Sequence, residues 1–95
     1  MVATRLAAAL LVLLPIGAFA ADAPPGAAAC SGCHAVSART VTSVPRVQGR
    51  PAADIAAAMS DFRSGRRAAT VMDRIAKGFT EDETKAIAAW LAEQK

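Results

Sequence analysis

The residues best suited to chemistry form the short sequence Cys-Ser-Gly-Cys-His at positions 30–34. Two thiols three positions apart on one helical turn can add to the two vinyl groups on one side of a porphyrin. The adjacent imidazole then points at the iron, which is why Cys-x-x-Cys-His is a signal for c-type haem attachment. We therefore predict that Cys30 and Cys33 form thioethers to one covalent haem c, with His34 as the proximal iron ligand.

Other uses of these residues fit the sequence less well. A thioredoxin-like dithiol requires a βαβ context, and no segment of the chain alternates like a strand. A structural zinc site needs four ligands, whereas the chain offers two cysteines and one histidine. A simple disulfide would give His34 no role.

The distal iron ligand has two candidates, the internal methionines Met59 and Met72. The chain has a single histidine, so bis-histidine ligation within one chain is excluded. Met59 lies on an apolar helical stripe, which is a packing position. Met72 follows an irregular link at 66–70, where the backbone can direct a side chain to the iron. We predict Met72 as the distal ligand. One alternative is that Met59 takes this position. The other is an open five-coordinate iron, in which case Met72 is an ordinary core residue. His/Met ligation raises the reduction potential and suits electron transfer.

The first twenty residues have the pattern of a secretory signal peptide. Arg5 supplies the positive charge, residues 6–14 form an apolar run, and residues 18–20 fit the small-x-small cleavage rule. We expect cleavage near Ala20, which leaves a domain at 21–95.

A cut after Ala23 is an alternative cleavage site. The apolar run is shorter than the ~20 residues that span a bilayer, so we expect no stable membrane insertion after the signal is removed. Export would deliver the protein to an oxidising compartment, which we take to be a bacterial periplasm.

The composition gives the domain little material for a core. The formal charge of +3 is smaller than the strongly basic charge that indicates a nucleic-acid-binding protein. Beyond the leader, the aromatic residues are Phe62, Phe79 and Trp90, and much of the apolar content is alanine. A chain this small buries only about 60% of its unfolded surface. It usually needs a metal, a disulfide or a cofactor for stability. We expect haem to be the folding nucleus and the apo chain to be largely unstructured.

The periodicity predicts an all-α fold of three to four helices and one long loop, wrapped round the haem. The predicted elements are a short helix in 26–33, a loop at 35–50, a helix at about 52–63, a short helical stretch at 71–79 and a last helix at about 81–93. Ser64 and Gly65 end the second of these helices, and Gly78 closes the short stretch. A capping box of Thr80 and Glu83 begins the last helix.

Across residues 26–93 the sequence resembles the class I bacterial cytochromes c. The landmarks, in order, are the motif at 30–34, Pro-Arg-Val-Gln-Gly at 45–49, Met72 and a C-terminal helix carrying Trp90. The resemblance implies that the Pro45 carbonyl accepts the imidazole N–H of the proximal histidine and that Val47 packs on the haem. A merely rigid loop residue is the alternative for Pro45.

The segment 61–78 is similar to the cytochrome subunit of flavocytochrome c sulfide dehydrogenases. This implies a non-catalytic haem subunit that accepts electrons from a sulfide-oxidising flavoprotein. The flavin chemistry would belong to the partner, because the chain lacks a dinucleotide-binding fingerprint. The alternatives are a free-standing electron shuttle to a terminal oxidase or reductase, and a five-coordinate haem sensor.

One feature departs from the class I pattern. The family's N-terminal helix usually brings an aromatic or large apolar residue to the crossing with the C-terminal helix. Here that helix offers glycine and alanine at 26–29. We expect a close crossing that buries little area.

Overall fold

The computed structural model describes residues 22–95, so the predicted signal peptide lies outside the described part of the chain. In chain order the helices are α1 (Ala27–Cys30), α2 (Ala52–Ser64), α3 (Met72–Ala76) and α4 (Glu81–Ala92). No strand occurs among residues 22–95. The all-α prediction is therefore confirmed.

The helix α2 has the bounds that its sequence pattern predicts. It begins after Pro51, whose fixed φ suits a helix start. It ends at Gly65, which adopts a left-handed φ of 80° and donates its N–H to the Phe62 carbonyl. Ile55 is the buried residue of this helix. The rest of its inner face borders the cavity described below.

The helix α4 begins with the predicted capping box. The Glu83 N–H donates to Thr80 Oγ1 at 3.1 Å, and the Thr80 N–H donates to Glu83 Oε1 at 3.2 Å. These bonds satisfy two backbone donors that a helix start otherwise leaves free. The buried face of α4 consists of Ile87, Ala88 and Leu91, with Trp90 packed against the core at its side.

The helix α3 is shorter than the predicted stretch, because the backbone turns after Ala76. The N–H of Gly78 donates to the Ile75 carbonyl at 3.0 Å and closes this turn. The turn leads directly to Phe79 and the start of α4. Met72 is thus the first residue of a short helix, directly after an irregular link.

The helix α1 meets α4 through alanines. Ala27 and Ala88 are each 1% exposed and belong to the same core cluster. Beside this contact lies a cavity of about 200 Å³ bordered by Ala28, Trp90 and Gln94, among other residues. Small side chains thus lie where α1 approaches α4, and the small area expected for this contact stays a prediction.

The core has one open side. Its buried members are Ala27, Ile55, Ile87, Ala88 and Leu91. No large side chain among residues 22–95 is completely buried. The apolar side chains of α2, α3 and α4 instead border a shared cavity. No helix in this part of the chain is long and apolar enough to cross a membrane.

Candidate haem-binding site

The cysteine-histidine motif lies on a backbone turn that continues past the end of α1. The N–H groups of Cys33 and His34 both donate to the Cys30 carbonyl, at 3.2 and 2.9 Å. These bonds keep the three side chains on one short turn. All three line the same cavity. Cys30 is partly buried, Cys33 is exposed, and no disulfide joins them.

The environment of Cys30 does not activate its thiol. Burial raises the pKa of the Cys30 thiol above its usual value, and a backbone hydrogen bond opposes this only in part. A raised pKa lowers the thiolate fraction at neutral pH, whereas catalytic and redox cysteines depend on a lowered one. Cys30 thus lacks the activation that a nucleophilic thiol needs.

The imidazole of His34 is held by the loop that faces it. His34 Nδ1 lies 2.5 Å from the Pro45 carbonyl oxygen. A carbonyl can only accept, so Nδ1 carries the proton and donates it. In the neutral ring this leaves the lone pair on Nε2, the form in which histidine binds metals. The contact therefore fixes both the tautomer and the direction of the ring.

Two hydrogen bonds hold this loop in place. Arg46 Nε donates to the Val36 carbonyl at 2.9 Å and ties together the two sides of the loop. The Gly49 N–H donates to the Leu91 carbonyl, also at 2.9 Å, and ties the loop to α4. Gly49 has a φ of 78°, and a Cβ there would meet the Gln94 carbonyl oxygen at 3.1 Å. A glycine is needed for this close approach.

The cavity has a volume of about 610 Å³ and is bounded by all four helices and the loop. The predicted site residues Pro45, Val47 and Met72 line it together with the cysteine-histidine motif. Met59 also lines it, so both candidate distal ligands face the same space. Most other wall residues are apolar, including Ile55, Phe62, Val71, Ile75, Phe79, Ile87 and Leu91.

The wall of this cavity fits a large, flat, apolar cofactor. Val71 and Ile75 border it while remaining 46% and 39% exposed. Apolar side chains left in contact with water at the centre of a domain lose the free energy that burial would provide. The thiols, an imidazole with a free Nε2 and thioether sulfurs are also suitable donors for haem and its iron. The residues present therefore fit haem.

Three charged residues in the cavity wall were not among the predicted site residues. They are Arg50, Asp54 and Arg67. Their positions depend on how the loop and the link fold round α2, which no local periodicity encodes. Several arginines lie near the C-terminal end of α2, and this could have suggested a basic residue in the cavity wall. The sequence does not indicate which arginine faces the cavity.

The four-helix fold and this site define a class I cytochrome c-like protein. No protein-family model matches the chain. The assignment is supported by similarity to a cytochrome subunit and to an electron acceptor, and a cytochrome relative implies a haem cofactor.

Two relatives show how far the similarity extends. The cytochrome subunit of sulfide dehydrogenase from Chlorobaculum tepidum is 38% identical over 61 residues, covering 64% of this chain and 56% of that protein. The thiosulfate dehydrogenase electron acceptor from Stutzerimonas stutzeri is 35% identical over 97 aligned positions, covering 90% of this chain and 45% of that protein. The chain thus spans about half the length of each relative.

Proposed function

We propose that this chain is an exported monohaem cytochrome c that transfers single electrons through a His/Met-ligated iron. The observation that carries the proposal is the His34–Pro45 hydrogen bond at the wall of the apolar cavity. It leaves Nε2 free beside two thiols in the attachment spacing. When bound, haem supplies a one-electron couple between ferric and ferrous iron.

The residues of the chain have separate roles in this proposal. Cys30 and Cys33 hold the cofactor covalently, and His34 is the proximal ligand. Pro45 orients the imidazole through its carbonyl, and Val47 contributes apolar wall. A cavity lined largely by apolar side chains excludes water, which limits reorganisation when the charge changes and favours fast electron exchange.

The position of Met72 supports its role as the distal ligand. It is the first residue of α3 and follows a link without helical structure. Met59 lies in the middle of the regular 13-residue helix α2, four residues after the buried Ile55. A residue at the start of a short helix is less constrained by neighbouring turns. We therefore assign the thioether of Met72 to the iron and that of Met59 to the cavity wall.

Paired substitutions of the methionines test this assignment. In the Met72→Ala variant we expect loss of the absorption band of the iron–thioether bond and a lower reduction potential, because Met/His ligation raises the potential. The Met59→Ala variant, which shortens the same side chain in the same cavity, should keep both. Optical spectra and redox titration of the holo-proteins measure this. A normal spectrum for Met72→Ala with an altered one for Met59→Ala would reverse the assignment.

For the electron donor we propose a sulfide-oxidising flavoprotein, with this chain as its haem subunit. The similarity to the C. tepidum subunit supports this proposal, as does the resemblance of segment 61–78 to flavocytochrome c. The chain itself would contribute no dehydrogenase chemistry. The alternative is a free-standing periplasmic shuttle, favoured by the similarity to an electron acceptor of thiosulfate dehydrogenase.

Isolation of the tagged chain from its native cell distinguishes the two functions. A haem subunit should co-purify with a flavin-containing protein, and sulfide should reduce the haem only in that complex. A free shuttle should purify without flavin and be reduced by thiosulfate when a thiosulfate dehydrogenase is added. The second pattern would contradict the flavoprotein assignment but not the electron-transfer chemistry.

A further inference from the structure

The loop segment 35–44 is tied to the rest of the described chain by one hydrogen bond. Its internal hydrogen bonds are short-range, such as the bond from the Thr40 N–H to the Ser37 carbonyl at 3.2 Å. Val41, in the middle of the segment, is 100% exposed. The bond that reaches beyond the segment runs from Arg46 Nε to the Val36 carbonyl at 2.9 Å. Arg46 therefore joins this loop to the residues that follow it.

The residues that follow, at 45–49, are fixed to the core. Val47 packs against the core cluster, and Gln48 is only 6% exposed. The Gly49 N–H donates to a carbonyl of α4 at 2.9 Å. Arg46 is half-buried in this fixed segment, so its guanidinium extends from a firm backbone to a loosely attached one.

The carbonyl that accepts from the His34 imidazole belongs to the peptide group between Pro45 and Arg46. The proline ring fixes φ of Pro45, and the peptide group itself is planar. The direction of the carbonyl therefore depends on rotation of this one group. Because the Arg46 side chain is bonded to the Val36 carbonyl, two residues after His34, such a rotation would strain or break that bond.

We propose that Arg46 is a positioning residue for the proximal histidine, because its Nε–H keeps the Pro45 carbonyl directed at the imidazole. This inference rests on the proposed haem function. Arg46 does not line the large cavity, so it acts through the Pro45 peptide group and not on the bound cofactor. The planar guanidinium suits this role because its N–H donors have a rigid geometry.

The consequence for the iron has a definite sign. A hydrogen bond from Nδ1 to a carbonyl raises the basicity of the imidazole. A more basic ligand stabilises ferric iron and lowers the reduction potential. Loss of the Arg46 contact should weaken the bond and raise the potential. Loss of a positive charge alone acts in the opposite direction, because a cation disfavours the ferric form.

The test compares Arg46→Leu with Arg39→Leu in the holo-protein. Arg39 is an exposed arginine of the same loop, and its described hydrogen bond uses the backbone N–H and not the side chain. Both variants lose one positive charge, but only Arg46→Leu loses the bond to Val36. Redox titration should give a higher potential for Arg46→Leu than for Arg39→Leu. NMR of the ferric protein should show a changed orientation of the His34 ring in Arg46→Leu alone.

A second pair of variants separates the hydrogen bond from packing. In Arg46→Gln the side-chain nitrogen is as many bonds from the backbone as Arg46 Nε, so a donor is kept while the charge is lost. We expect the potential and the ring orientation of Arg46→Gln to return to those of Arg39→Gln. A merely structural role of Arg46 would lower the free energy of unfolding and leave both readouts unchanged.

Three results would overturn the inference about Arg46. They are a potential for Arg46→Leu equal to that of Arg39→Leu, a potential below it, and no recovery in Arg46→Gln. The wild-type protein separates this inference from the proposed function. If the wild type carries no covalent haem, the function fails. If the wild type carries haem normally and the two leucine variants behave alike, only the role of Arg46 fails.

Discussion

At the scale of single residues, the site depends on which atoms each side chain or backbone group supplies. Pro45 supplies a carbonyl oxygen to His34 Nδ1, and any other residue at this position would supply the same atom. What proline adds is a fixed φ, which reduces the freedom of the unfolded chain. The orientation of the imidazole and the stability of the loop are thus separable.

The Pro45→Ala variant tests this separation. We expect unchanged haem ligation and a free energy of unfolding lower by about 0.4–1 kcal/mol, the usual entropic contribution of a compatible proline. Denaturant unfolding together with the optical spectrum of the holo-protein measures both effects. Pro51→Ala, at the start of α2, is a control with a similar loss of stability and no contact with His34. Loss of the normal spectrum in Pro45→Ala alone would show that the ring itself is needed.

At the scale of the elements, local signals placed the helices well. The stripe around Ile55 predicted α2, and the capping box predicted the start of α4 at Glu81, because both features act within one or two turns. The His34–Pro45 contact came from family resemblance, since eleven residues of irregular loop separate the partners. The orientation of Arg67 over Phe62 depends on the path of a link and on rotamers, which the sequence pattern does not encode. The role of Met72 stays a prediction.

The glycine that begins α1 has a structural role that substitution can measure. Gly26 has a φ of 86°, and a Cβ there would lie 2.5 Å from Phe79 Cε1. Gly65 has a similar φ of 80° with no atom within 4 Å of its Cβ position.

We expect Gly65→Ala to lower the free energy of unfolding by about 1–2 kcal/mol, the cost of a left-handed alanine. Gly26→Ala should lower it by more, because the Phe79 ring must also move. Denaturant unfolding of both holo-proteins gives the difference. Equal losses would show that the Phe79 ring moves aside at little cost.

At the scale of the whole molecule, the large cavity dominates the energetics. The cavity of about 610 Å³ is open to water on one side, and wall residues such as Val71 and Ile75 stay partly exposed. The domain therefore loses the ~25 cal/mol per Å² that burial of these apolar surfaces would provide. The alanine-rich core offers few large side chains to collapse into the space. We therefore expect the arrangement of the helices to depend on a bound group.

The haem-free chain is expected to lose most of its helical structure. The reason is the cost of the unfilled cavity, together with a core that lacks a completely buried large side chain among residues 22–95. Far-UV circular dichroism of the Cys30→Ser/Cys33→Ser variant, purified without haem, measures this. A native-like helical signal with a cooperative unfolding transition would contradict the view that haem is the folding nucleus.

The proposed function depends most directly on the covalent attachment of one haem to Cys30 and Cys33. The direct measurement is mass spectrometry of the exported protein after full denaturation, followed by alkylation of any free thiol. We predict an intact chain that retains the mass of one haem, with neither cysteine alkylated and the haem found on the peptide containing residues 30–34. Release of haem on denaturation, or alkylation of both cysteines, would contradict it.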